Sequence, residues 1–208
     1  MSSVRSGSER RRVSAAILAG GRASRFGGTD KSALRIGGER IIDRQLAALA
    51  PVSDDVWIVS HDRTRYAGLR IPVIPDAIAG AGPMGGLHTA LQAATHPWVV
   101  IVACDLPFVT AALFETLVQA IDEETDAVMP RSARGLEPLC AIYAQRLAPA
   151  IGERAAAGQR QMVALAADLR VTEIGPETLA ALNREGRLFE NVNTPHDYAR
   201  AVGAVKEA

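Results

Sequence analysis

Residues 13–31 read Val13-Ser14-Ala15-Ala16-Ile17-Leu18-Ala19-Gly20-Gly21-Arg22-Ala23-Ser24-Arg25-Phe26-Gly27-Gly28-Thr29-Asp30-Lys31. The apolar, β-like run from Val13 to Ala19 empties into a loop carrying Gly20, Gly21, Gly27 and Gly28. Glycines let a backbone approach a ligand closely and turn its N–H groups toward one point. Arg22, Arg25 and Lys31 add positive charge to the same loop. A strand followed by such a loop is a place to hold phosphates. A tight turn with solvated arginines is the competing reading. Two phosphate-binding patterns are excluded by spacing. A P-loop has Lys directly after its last Gly, whereas Thr29 and Asp30 precede Lys31, and Gly20-Gly21-Arg22 does not supply Gly-x-Gly-x-x-Gly.

Working outward, short apolar runs alternate with helical patterns, which points to a mainly parallel sheet flanked by helices. The strands are expected at Val13–Ala19, Val56–Ser60, Ile71–Ile74, Trp98–Ala103 and Ala127–Met129. Helices are expected at Ile41–Leu49, Pro83–Ala94, Ala111–Ile121 and Pro195–Val205, the last with Thr194 as its N-cap. In Ile41–Leu49 the apolar positions Ile41, Ile42, Leu46 and Leu49 fit the helical period. Between Arg131 and Asn191 the pattern is less regular: Leu139–Tyr143 reads as a strand, Leu147–Ala157 and Gln161–Leu169 as helices. The fold class expected is α/β, a single Rossmann-like domain over 13–208. Residues 1–12, rich in Ser, Gly and Arg, read as a disordered basic tail.

Composition narrows the function. Lys plus Arg equals Asp plus Glu, 23 each, which argues against a generic nucleic-acid binder. The first dozen residues lack a secretory apolar core, and the apolar run Trp98–Cys104 is too short to span a bilayer. A cytoplasmic protein, with no membrane partner, is expected. Cys104 and Cys140 read as small buried residues in a reducing compartment rather than a disulfide.

In open parallel sheets, ligands bind outside the carboxyl ends of the strands. Three further motifs fall there or nearby. Asp105 ends the run Val99–Cys104, where a carboxylate faces the crevice and suits Mg²⁺; a turn-supporting aspartate is the alternative. Pro75-Asp76 and Gly80–Gly86 form a second Gly-rich element ending at a helix start, able to offer N–H groups or a flat backbone surface to a base or sugar. A plain turn would also explain it. Asn191-Val192-Asn193-Thr194-Pro195 puts two amides on one face of an extended segment, for ligand contacts or for helix capping. His61, His88, His96 and His196 are scattered and read as surface or satisfied residues. Arg160 follows Gly158-Gln159 and reads either as an anchor for an anionic substrate or as an ordinary helix-start arginine.

Together these motifs resemble the molybdenum cofactor guanylyltransferase family, the MobA type of nucleotidyltransferase. The resemblance runs from Val13 to about Val202. It rests on Leu18-Ala19-Gly20-Gly21-Arg22-x-x-Arg25-x-Gly27-Gly28-x-Asp30-Lys31, Gly82-Pro83-x-Gly85-Gly86, Cys104-Asp105-x-Pro107 and Asn191-Val192-Asn193-Thr194-Pro195. It implies a fold of the nucleotide-diphospho-sugar transferase type and transfer of GMP from GTP to the terminal phosphate of molybdopterin, with release of pyrophosphate. By the resemblance, Leu18, Ala19, Gly20 and Gly21 would meet GTP through their backbone. Lys31, with Arg25, would contact its phosphates, Asp76 would lie near the guanosine, and Asp105 would hold Mg²⁺. Gly82, Gly85, Asn191, Asn193 and Arg160 would line the substrate side. Ser60 stands where family members often carry Asn as a nucleotide contact. Implied partners are GTP, molybdopterin or its molybdenum form, and the proteins that insert molybdenum or receive the product. Cytidylyltransferases and sugar-nucleotide enzymes, the nearest rivals, typically carry Leu-Ala-Ala-Gly where this chain has Leu18-Ala19-Gly20-Gly21. A non-catalytic GTP-binding module is the rival from another class, and Lys31 and Asp105 weigh against it.

Overall fold

Every residue of β1 (Ser14–Leu18) is buried, because a neighbouring strand flanks each edge and helices cover both faces. The computed structural model describes residues 13–19, 34–183 and 185–206. Gly20, Gly21, Arg25, Lys31 and the tail expected at 1–12 lie outside the described residues.

β1 pairs in parallel with β4 (Asp55–Val59) on one side and β6 (Trp98–Ala103) on the other, and β4 pairs in parallel with β5 (Val73–Ile74). Their continuous apolar runs are what strands covered on both faces require. Side chains alternate across the sheet. Val13, Ala15, Ile17, Val100 and Val102 join one core, shared with Ile42 and Leu49 of α1 (Ile41–Leu49) and Leu113, Phe114 and Leu117 of α3 (Ala111–Gln119). Ala16, Leu18, Trp57, Val59 and Ile101 join the other. That second core takes in Met84, Leu87 and Leu91 of α2 (Pro83–Ala93), Ile151 of α4 (Ala148–Ala156) and Leu165 of α5 (Met162–Ala167).

The second half of the chain enters the same sheet. β7 (Ala127–Ser132) folds back through β8 (Gly135–Leu136) into β9 (Cys140–Ala144), which lies antiparallel between β7 and β6. The reversal has a length cause. Parallel neighbours need a crossover of a dozen or more residues, and residues 133–139 are too few to make one. β10 (Val171–Ile174) pairs in parallel with β7 at the far edge, giving the order β10-β7-β9-β6-β1-β4-β5.

Measured against the sequence reading, the mainly parallel, helix-flanked sheet is present. Ile71–Ile74 shrinks to Val73–Ile74, and the helix expected over Gln161–Leu169 to Met162–Ala167. β10, the following α6 (Pro176–Leu182) and the short hairpin of β2 (Arg35–Ile36) and β3 (Glu39–Arg40) were not anticipated. Val-Thr-Glu-Ile carries only half a strand's apolar signal because it is an edge strand with one polar face. A small third core of Ile36, Ile41, Val192 and Ala201 ties the hairpin to α7 (Pro195–Lys206). Thr194 caps that helix as expected. Its hydroxyl accepts the Asp197 N–H at 3.1 Å, and Asp197 Oδ2 accepts the Thr194 N–H at 2.9 Å. Cys104 and Cys140 are not disulfide-bonded.

Candidate active site

The carboxyl ends of β1, β4, β5 and β6 stop level with one another: Leu18 is in register with both Val59 and Ala103, and Val59 with Ile74. The residues just beyond are tied across the gap. Ala19 N–H donates to Val59 O at 2.9 Å, Ser60 N–H to Ile74 O at 2.9 Å, and Cys104 N–H to Leu18 O at 3.1 Å. Ala19, Ser60, Asp76 and Asp105 therefore stand along one rim, at the end of the sheet where a ligand crevice forms.

Asp105 sits in a turn clamped from two directions. From beneath, the buried Gln45 of α1 donates through Nε2 to Ala103 O at 2.8 Å and to Leu106 O at 3.0 Å. From the side, Val192 N–H donates to Asp105 O at 2.8 Å. This second bond draws the Asn191–Thr194 segment against Asp105, so two motifs far apart in sequence meet. Asn191 Oδ1 is buried there without a hydrogen-bond partner among the described residues. Asn193 is fixed through its backbone, which donates to Asp197 Oδ2 at 3.1 Å. The Thr194 hydroxyl, with the Asn193 and Thr194 N–H groups, holds the Asp197 carboxyl below its ordinary range.

Asp76 is arranged differently. Burial raises its pKa above the ordinary carboxylate value, opposed by the charge of His61, whose Nε2 lies 3.2 Å from Asp76 Oδ2. Oδ1 is buried with no partner among the described residues. It faces the start of α2: a Cβ on Gly86 would lie 3.6 Å from Asp76 Oδ1 and 3.4 Å from the Leu18 side chain. The neighbouring Ala77 N–H is held by Thr89 Oγ1 at 2.8 Å, and that hydroxyl donates to Gly85 O at 2.9 Å.

The glycines of this second element have separate duties. Gly82 takes φ +62° where the chain turns into α2, a conformation that favours glycine. Gly85 faces inward: a Cβ would meet Ala81 Cβ at 2.9 Å and Ile78 O at 3.0 Å. Its missing side chain lets residues 78–81 fold onto the helix. Ser60 is buried, with its hydroxyl accepting the Asp62 N–H at 3.2 Å. Arg160 is exposed between α4 and α5. Two residues that the sequence motifs do not include stand against this rim, Gln45 and His61. Gln45 was legible as an amide within the apolar stripe Ile41–Leu49, where it is buried and Leu46 only partly so. His61 gave no local signal, since its partner comes from the next strand.

A mainly parallel α/β sheet whose strand exits gather a glycine-rich loop, carboxylates and amides defines a nucleotide-binding transferase. The comparisons make the class particular: the chain belongs to the family of MobA-like NTP transferase domains, whose pattern matches residues 15–172. It is 34% identical over 194 residues to a molybdenum cofactor guanylyltransferase of Desulfosudis oleivorans, covering 93% of this chain and 96% of that one. It is 36% identical to a probable molybdenum cofactor guanylyltransferase of Pelotomaculum thermopropionicum, over 89% of each. In structure it is similar to molybdopterin-guanine dinucleotide biosynthesis protein A of Archaeoglobus fulgidus, with TM-score 0.79 and 27% identity over 94% of this chain and 100% of that one. No helix among the described residues is long and apolar enough to cross a membrane.

Proposed function

We propose that this chain transfers GMP from GTP to the terminal phosphate of molybdopterin, forming the guanine dinucleotide and releasing pyrophosphate. The observation that carries this reading is the convergence of Asp76, Asp105 and Asn191 on the rim beside Leu18 and Ala19, in a chain of the MobA-like family. It names GTP and molybdopterin, with or without molybdenum, as substrates, and it sets the work in the cytoplasm beside proteins that insert molybdenum or accept the product.

An acceptor phosphate oxygen attacks the α-phosphorus of GTP. A new P–O bond forms there, the bond from that phosphorus to the bridging oxygen breaks, and pyrophosphate leaves with the electron pair. A phosphate monoester has a second pKa of about 6, so the attacking oxygen is already ionised near neutral pH and needs no protein base. Catalysis is then positioning and charge stabilisation. On this reading the backbone of Leu18, Ala19, Gly20 and Gly21 is assigned to the nucleotide, the cations Lys31 and Arg25 to its phosphates, and Asp76 and Ser60 to the guanosine. Gly82, Gly85, Asn191 and Asn193 line the substrate pocket, and Arg160 serves the acceptor side.

Among the described residues no group of three or more His, Cys, Asp or Glu side chains is arranged for a metal ion. A single carboxylate, Asp105, with the buried amide oxygen of Asn191 on the adjoining segment, which has no partner among the described residues, fits a hard cation that takes its other ligands from water and substrate phosphates, as Mg²⁺ does. When bound, Mg²⁺ supplies charge neutralisation on the phosphate oxygens. The test is incubation of the purified protein with molybdopterin and each nucleoside triphosphate in turn. The guanine dinucleotide is the expected product. A cytosine dinucleotide would transfer the assignment to cytidylyl chemistry, and no dinucleotide at all would leave a binding module.

A further inference from the structure

We infer that His61 is a positioning residue for the nucleotide: by holding one oxygen of Asp76 it leaves the other open as an acceptor for hydrogen-bond donors of the guanosine. This rests on the placement of Asp76 at the guanosine proposed above and adds a residue to it.

Both sides of the pair have fixed backbones. His61 lies in a turn where Ser60 Oγ accepts the Asp62 N–H at 3.2 Å. Asp62 Oδ1 in turn accepts the Thr64 N–H at 3.1 Å and the Thr64 hydroxyl at 2.6 Å. On the other side Thr89 holds Ala77, the residue after Asp76. The His61–Asp76 contact therefore bridges the exits of β4 and β5. Its geometry differs from an arginine pair in this same chain. Arg40 binds both oxygens of Asp43, through Nε at 2.6 Å and Nη2 at 2.7 Å, and so uses the whole carboxylate face. His61 approaches one oxygen only, with Nε2 3.2 Å from Oδ2 as an ion pair. Asp76 Oδ1 is thereby left buried and without a partner among the described residues, beside Leu18 and Gly86, and a buried acceptor without a donor is the deficit that a ligand relieves. His61 itself is 57% exposed, which gives it no packing duty, while the Asp76 side chain is 12% exposed.

The experiment is steady-state kinetics of the full chain carrying His61→Ala, His61→Gln or Asp76→Asn, with melting temperature measured for each. His61→Ala is expected to raise KM for GTP about tenfold, the order of one orienting polar contact. Its kcat and its KM for molybdopterin should stay within about twofold of the parent. His61→Gln, whose side-chain amide can again point a polar hydrogen at Oδ2, is expected to recover most of the GTP affinity. ITP, lacking the 2-amino group, and 3′-deoxy-GTP, lacking a ribose hydroxyl, separate the two donor sources: the analogue missing the donor that Asp76 meets loses its sensitivity to His61→Ala. A normal KM in His61→Ala beside a raised KM in Asp76→Asn overturns the inference and spares Asp76. Normal values in both variants also remove Asp76 from the guanosine. A loss of kcat and melting temperature that Gln does not restore makes His61 structural and overturns the inference too.

Discussion

The exits of β6 and β5 carry the two carboxylates of the rim, and they are built in opposite ways. At the β6 exit, Asp105 rides a turn whose carbonyls are tied down by a buried glutamine and whose own carbonyl is tied to the Asn191–Thr194 segment. At the β5 exit the strand is only Val73–Ile74, and Asp76 keeps a buried oxygen with no partner among the described residues. The first arrangement leaves little freedom and suits an atom that must meet a metal and a phosphate at fixed distance. The second holds an acceptor in reserve, at the cost of an unsatisfied oxygen, and suits recognition of a base or sugar. On the proposed assignment, rigidity belongs to the chemical half of the rim and unspent hydrogen-bond capacity to the recognition half.

Four substitutions test that contrast. Asp105→Asn should leave the melting temperature near the parent value while kcat at limiting Mg²⁺ falls by about 10²–10³, the size of one lost transition-state electrostatic contact. Unchanged turnover across an Mg²⁺ titration would take Asp105 out of the chemistry. Next, Gln45→Met strips the donors from two buried carbonyls beneath Asp105, a cost of about 2 kcal/mol. In a chain of this length that is roughly 4–8 °C of melting temperature. The kcat should drop about tenfold, with KM for GTP little changed, because only the Asp105 side has lost its support. A raised KM with normal kcat would mean that the two halves are not separable.

On the β5 side, Gly85→Ala drives a Cβ to 2.9 Å from Ala81 Cβ and 3.0 Å from Ile78 O. Overpacking of this kind costs about 1–3 kcal/mol, and calorimetry should show the loss together with weakened GTP binding rather than slowed chemistry. The smallest effect belongs to Thr89→Val, which keeps the shape but deletes the hydroxyl that ties Ala77 to Gly85. About 1 kcal/mol is expected, read as a few-fold rise in KM for GTP. A pure kcat effect in either variant would break the division between the halves.

Much of this was open to reading in the chain itself, for definite reasons. Val13–Ala19 and Trp98–Ala103 could be recognised because central strands covered on both faces demand unbroken apolar runs. The helix start at Pro83 and the cap at Thr194 were legible because capping chemistry is local. Asp105 and Asp76 stood out as carboxylates just past such strands. Gln45, by contrast, fell in a stripe counted as apolar, and its work is done on carbonyls sixty positions away. His61 had nothing nearby in sequence to mark it.

By itself, then, the sequence determined the parallel α/β character, the carboxylates just past the strand ends, and the family motifs, since periodicity, glycine chemistry and capping all act over a few residues. Only the tertiary structure decided that β9 runs antiparallel, that Val192 bonds to Asp105, that Gly85 faces its own loop, and that His61 rather than an arginine meets Asp76. Each of these depends on which segments become neighbours across the sheet. Partners distant in the chain are chosen by packing and hydrogen-bond satisfaction of the whole, and no local pattern encodes them.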